Sequence, residues 1–135
     1  MFNIYKHELS ICDGITFQQE PNPDFYSNYW LTCILVNPEK CGGITRDKIR
    51  IEMEGENIEC RPLWKPMHRQ PVFWDMPYYG KGVSDHLFER GLCLPSGSNL
   101  TDEDLNRVIG VIKKMLSKAM IKRDKKIEEL VSYDN

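Results

Sequence analysis

The sequence predicts a two-layer domain of the α+β kind, with α/β as the other arrangement that interleaved strands and helices permit. Three observations point there. Residues 29–36, Tyr-Trp-Leu-Thr-Cys-Ile-Leu-Val, form an aromatic and β-branched run bounded by Asn28 and by Asn37-Pro38, the composition of a strand. Residues 91–95, Gly-Leu-Cys-Leu-Pro, read as a second buried strand. Beyond Thr101, apolar residues recur at Leu105, Val108, Ile109, Ile112, Met115, Leu116 and Ala119, the spacing of one helix face turned to a core. A chain of 135 residues is sized for one such core, burying roughly two-thirds of its unfolded surface.

The remaining elements follow in chain order. Residues 2–9 suit one or two helical turns, and Gly14 breaks the chain before an alternating strand at 15–19 that Pro21 and Pro23 end. The run at 29–36 is expected to be the central strand, and its nearly continuous apolar character predicts burial on both faces. Thr45 is placed to cap a helix carrying Ile49, Ile51 and Met53 and ending near Gly55. Residues 62–77 hold four prolines and two of the three tryptophans, which neither a helix nor an interior strand accepts readily. An ordered loop is expected there, followed by a short helix at 84–90. Thr101 and Asp104 stand at capping-box spacing ahead of the long helix. The domain is assigned to residues 1–120, and residues 121–135 to a charged, helical tail supported by pairs such as Lys125 with Glu129.

Composition narrows the function classes. Apolar residues make up 41% and charged residues 28%, the balance of a folded globular chain rather than a disordered one. The net charge is -2, with both signs mixed along the sequence, so no whole-domain field draws the chain to nucleic acid. No apolar stretch approaches the ~18 residues of a membrane span, and the first residues lack the pattern of a secretory signal. The five cysteines, at 12, 33, 41, 60 and 93, contain no C-x-x-C pair, which removes the usual zinc signature. Reduced thiols in a cytoplasm are expected, with Cys33 and Cys93 as small core residues.

Candidate chemistry concentrates in residues 61–73, where Arg61, Trp64, Lys65, His68 and Arg69 are interleaved with prolines. Proline lowers the entropy lost in fixing a loop, and preorganised cations suit phosphate or carboxylate groups. The plainer reading is a loop that packs its tryptophans inward while its cations stay solvated. A lone histidine such as His68 is ambiguous, and His7 and His86 lack spaced partners for a metal. No Walker, G-x-G-x-x-G or G-x-S-x-G pattern occurs. Lys65, between Trp64 and Pro66, has nothing beyond those neighbours to depress its pKa as a Schiff-base lysine requires.

Three long segments carry a resemblance: Ser-Asn-Tyr-Trp-Leu-Thr-Cys at 27–33, Arg-Pro-Leu-Trp-Lys-Pro-Met-His at 61–68, and Leu-Phe-Glu-Arg-Gly-Leu-Cys-Leu-Pro-Ser-Gly-Ser-Asn-Leu-Thr at 87–101. In this order they resemble the C-terminal small domain of pyridoxal-phosphate-dependent nucleotide-sugar aminotransferases of the DegT/DnrJ/StrS type, from about residue 4 to about residue 116. The resemblance implies an α+β fold with a small, mainly antiparallel sheet covered by helices, as in the C-terminal domain of fold-type I pyridoxal-phosphate enzymes. It implies amino-sugar synthesis for surface polysaccharide or glycan. It also implies substrate contacts at Trp64, Lys65, His68 and Arg69, supported by Asn28 and Trp30, with Pro95, Ser96 and Gly97 ending the neighbouring strand. Arg69 departs from the apolar residue the family often carries there.

In that family the Schiff-base lysine, the aspartate facing the pyridine nitrogen and most phosphate ligands lie in a large N-terminal domain, which these residues do not match. The expectation is therefore a chain with no cofactor of its own and no independent transamination, partnered by a large domain or an equivalent chain. Whether it acts as an enzyme component is left open. The other reading is a free-standing, non-catalytic binding or interaction module. A homodimer is also expected, formed through apolar residues near 64–74 or around Phe2 and Tyr5.

Overall fold

A computed structural model of the chain describes residues 1–133. Its elements are α1 (Phe2–Leu9), β1 (Ile15–Phe17), β2 (Thr32–Val36), α2 (Arg46–Gly55), β3 (Arg61–Pro62), α3 (Val83–Arg90), β4 (Gly91–Leu94) and α4 (Asp102–Tyr133). The four strands form one sheet in the order β1-β2-β4-β3. Every neighbouring pair is antiparallel, with Ile15 opposite Val36, Cys33 opposite Cys93, and Arg61 also opposite Cys93. The α+β class and the antiparallel sheet are as the sequence predicts.

One face of the sheet, presenting Ile15, Ile34, Val36, Leu92 and Leu94, makes the core with Tyr5, Leu9, Ile49, Met53 and the α4 stripe Leu105, Val108, Ile109, Ile112 and Leu116. Burying aliphatic side chains of this size contributes about 1.5–3 kcal/mol each, so this stripe holds α4 across the sheet. The helix starts where its cap chemistry dictates. Thr101 Oγ1 accepts from the Asp104 amide at 3.2 Å, and Asp104 Oδ2 accepts from the Thr101 amide at 2.9 Å. Likewise Thr45 caps α2 by accepting from the Lys48 amide. Of the expected α2 face, Ile49 and Met53 are buried while Ile51 points to solvent, because positions 49 and 53 are one helical turn apart and 51 lies opposite. The α4 helix runs past position 120 to Tyr133, and the last two residues of the expected tail lie outside the described residues.

Four sequence expectations are corrected here. The central strand begins at Thr32 rather than Tyr29, because Tyr29 sits at φ 47°, a left-handed conformation incompatible with a strand. Its burial also alternates: Thr32, Ile34 and Val36 are buried while Cys33 and Leu35 are only half-buried. The opposite face, on which Cys33 and Cys93 lie, is outside the main core cluster; Cys93 is buried there as expected, whereas Cys33 is only half-buried. Finally, Phe2 and Tyr5 are buried, so neither of these two side chains presents an association surface. Tyr5 donates its hydroxyl to the Pro95 carbonyl at 3.0 Å.

Candidate functional site

The segment between β3 and α3 takes its shape from local chemistry. Leu63 donates its amide to Gly91 O at 3.2 Å, and its side chain fills the space where a Cβ at residue 91 would stand, 2.1 Å from Leu63 Cδ1. Only glycine permits that approach. Pro66 and Pro71 then start two single 3-10 turns, Met67–Arg69 and Pro71–Phe73, as proline's fixed φ favours. Gln70 stitches them by donating its side-chain amide to the Lys65 carbonyl at 3.1 Å.

Within this loop the four sequence-predicted residues part into two pairs. His68 and Arg69 turn onto α3. Nε2 of His68 lies 3.0 and 3.1 Å from the two carboxylate oxygens of Asp85, and its ring stacks on Tyr78 with centroids 3.9 Å apart. An ionised carboxylate only accepts, so the proton sits on Nε2. Arg69 Nη1 reaches Asp85 at 3.5 Å and Glu89 at 3.3 Å. Its guanidinium lies 5.5 Å from the Phe88 ring centroid, and that of Arg46, 4.8 Å away, packs on the same ring. Trp64 and Lys65 instead face solvent, Trp64 being 74% exposed.

Trp64 borders an open groove of about 470 Å³ whose other walls include Trp30, Arg61, Cys93, Pro95 and Ser96. Trp30 is 77% exposed. Its position is set from below: Asn28 Oδ1 accepts from the Trp30 amide at 3.1 Å, and Ser96 Oγ accepts from the Thr32 amide at 2.8 Å. The strained Tyr29 is held by stacking on Phe2, 3.8 Å between centroids, and by donating its hydroxyl to Glu20 at 2.5 Å. That hydrogen bond, together with one from the Ser27 amide, holds the Glu20 carboxyl below its usual range. The result is two indole faces flanking a groove whose edge carries Arg61 paired with Glu59, Nη2 to Oε1 2.6 Å, an arrangement that offers stacking faces to a planar ligand.

Sequence reasoning missed Asp85, Glu89 and Tyr78. Asp85 and Glu89 stand four positions apart on one predicted helix face, which was the available signal for an acidic partner to the loop cations. The plainer reading in which the loop buries its tryptophans is not what is found, since Trp64 and Trp74 are 74% and 79% exposed. The loop does not by itself fit pyridoxal phosphate. A Schiff base needs an amine whose charge is opposed by burial, whereas Lys65 is exposed and Lys113 is paired with Glu8 at 2.5 Å. Among the described residues no group of three metal-ligating side chains is placed to hold a metal ion, and no helix is long and apolar enough to cross a membrane.

Comparison with known proteins assigns this geometry to a lineage. The profile of the DegT/DnrJ/EryC1/StrS aminotransferase family matches residues 1–113. The chain belongs to that family. Over 127 residues it is 38% identical to EpsN of Bacillus subtilis (strain 168), which carries the name of a pyridoxal phosphate-dependent aminotransferase, covering 91% of this chain and 31% of that protein. It is 32% identical over 113 residues to the GDP-perosamine synthase of Vibrio cholerae, covering 82% of this chain and 29% of the relative. Among solved structures, DesI, crystallised in the presence of its TDP-sugar product, superposes with a TM-score of 0.74 at 18% identity over 93% of this chain and 32% of its own. The aminotransferase TlmJ from Streptoalloteichus hindustanus gives 0.72 at 20% identity, over 88% of this chain and 31% of its own. These two likenesses establish the fold. The chain thus spans about a third of the length of the relatives it matches.

Proposed function

We propose that these 135 residues act as the small domain of a pyridoxal-phosphate-dependent sugar aminotransferase in amino-sugar synthesis for a surface polysaccharide or glycan. In this reading they work beside a large domain that carries the cofactor and its lysine, and they do not transaminate alone. One observation carries it: the family match takes in residues 1–113, yet the chain spans only 31% and 29% of the two relatives named above. Pyridoxal phosphate, held by the large domain, supplies the electron sink of the reaction. The present residues contribute binding and orientation. Trp64 would stack on a planar part of the nucleotide sugar, and Lys65 would meet its phosphates or a carboxylate amino donor. His68 and Arg69 complete the substrate-binding set, presented on a loop that Asp85 and Glu89 hold against α3.

The test is reconstitution. Alone, the chain should show no pyridoxal-phosphate absorbance band after dialysis against cofactor, and borohydride should leave no covalent adduct on Lys65. Mixed with an EpsN polypeptide lacking the third that this chain matches, it should restore turnover of a nucleotide-linked keto sugar with glutamate. Stoichiometric labelling of Lys65, or turnover by the chain alone, would overturn the proposal. Failure of the mixture with intact binding of the two polypeptides would favour a non-catalytic module.

A further inference from the structure

Cys33 and Cys93 face one another across the β2–β4 ladder, sixty positions apart in sequence, with their sulfurs 3.6 Å apart. The ladder fixes what kind of pair they are. The Cys33 carbonyl accepts from the Gln18 amide, so the backbone polar groups of Cys33 point to β1 and away from β4. The Gly91 carbonyl accepts from Leu63, the residue that follows β3, and Cys93, two residues on, shares that orientation. Cys33 and Cys93 are therefore a non-hydrogen-bonded antiparallel pair, in which Cα atoms stand about 4.5 Å apart and side chains approach most closely. That separation falls within the roughly 4.4–6.8 Å span a disulfide bridges. Each thiol also borders a cavity: Cys33 a space of about 210 Å³ beside Phe2, Glu20 and Tyr29, and Cys93 the Trp30–Trp64 groove.

We propose that Cys33 and Cys93 form a reversible peroxide-oxidisable dithiol, a modification site independent of the aminotransferase reading. The Cys33 thiolate attacks one oxygen of hydrogen peroxide, the O–O bond breaks, and hydroxide leaves to give a sulfenic acid at Cys33. Cys93 then attacks that sulfur as its thiolate, the S–S bond forms, the S–O bond breaks, and the oxygen departs as water. Two thiols and one peroxide become one disulfide and two waters, and a dithiol reductant reverses the change. The order of events follows from access: Cys93 is buried, so peroxide meets the half-buried Cys33 first. Its hydrogen bond from Cys93 lowers the Cys33 pKa, and the same bond raises that of Cys93. Cys60 lacks such a donor, and burial pushes its thiol up to about 11. A third arrangement, Cys12 with Cys41 at 3.6 Å, lies between two turns without a ladder to set its geometry. There burial pushes the Cys41 thiol up to about 12.

Titration of the 135-residue chain with hydrogen peroxide, alkylation, and digestion after Glu and Asp separates all five cysteines. The expected product at the lowest effective dose is the Cys33–Cys93 cross-linked peptide, lost on treatment with dithiothreitol, while Cys60 remains alkylated. In C93S, the same dose should carry Cys33 on to sulfinic acid in place of the cross-link. Full alkylation of both cysteines in the wild type, a first cross-link at Cys12–Cys41, or oxidation of Cys33 no faster than Cys60 would each overturn the proposal.

Discussion

Nε2 of His68 and Oδ2 of Asp85, seventeen positions apart in sequence, meet at 3.0 Å and fasten the proline-rich loop to the first turn of α3. Asp85 is shared, since Arg69 reaches its other oxygen at 3.5 Å. The carboxylate therefore organises two of the four loop residues that the resemblance implies as substrate contacts.

Removing that carboxylate should free the loop while leaving the sheet intact. D85A is expected to cost about 1 kcal/mol of stability, the scale of a partly exposed hydrogen-bonded pair, and to speed proteolysis between residues 64 and 80. Limited proteolysis with mass mapping checks this. Unchanged cleavage in that segment would show that Pro66 and Pro71 hold the loop without Asp85.

Core substitutions should separate the two faces of the sheet. I109A, at a buried position of the α4 stripe, is expected to cost about 2–5 kcal/mol, whereas L35A, on the half-buried face, should cost distinctly less. Y5F should lose about 1 kcal/mol, because it leaves the Pro95 carbonyl without its donor. Urea denaturation midpoints rank the three variants, and equal losses at positions 35 and 109 would contradict the one-sided core.

Stability should fall on acidification. The Glu8 carboxyl is lowered first by its hydrogen bond from Lys113, Glu20 by that from Tyr29, and Asp104 by the Thr101 amide. A carboxylate depressed in the folded state adds stability above its unfolded pKa, about 4. It loses that stability as pH falls through the folded value. The urea midpoint should thus hold from about pH 7 to pH 5 and decline below about pH 4. E20Q should make that decline shallower, and a midpoint that rises on acidification would show the opposite linkage.

Self-association should depend on the loop aromatics. Trp30 and Trp64, 77% and 74% exposed, flank one groove, and Trp74 is 79% exposed; exposed apolar surface of this kind tends to find a partner, most simply a two-fold copy. Sedimentation at micromolar concentration should show a dimer that W64S/W74S weakens. A monomer at all concentrations, or a dimer indifferent to that double substitution, would remove this surface from consideration.

Much of the architecture was legible because it rests on signals local in the chain. The α4 stripe, the Thr101–Asp104 cap and the Thr45 cap are periodicities or spacings of three to four residues, and the structure realises each. The break at Tyr29 was not legible, since a tyrosine in a β-branched run reads as strand. The stack on Phe2, the hydroxyl hydrogen bond to Glu20 and the amide hydrogen bond to Ser27 Oγ together offset its left-handed backbone.

By itself, then, the sequence determined the fold class, the helix boundaries and the family, because composition, periodicity and long ordered motifs are properties of the chain. Only the tertiary structure decided how the candidate residues are used. The division of Trp64 and Lys65 from His68 and Arg69 depends on α3 bringing Asp85 and Glu89 beneath the loop. The pairing of Cys33 with Cys93 depends on a strand register. Both are contacts between distant parts of the chain, fixed by the packing of one sheet face and by the direction of backbone hydrogen bonds. The first leaves in the sequence only the four-residue spacing of Asp85 and Glu89, and the second leaves no local mark.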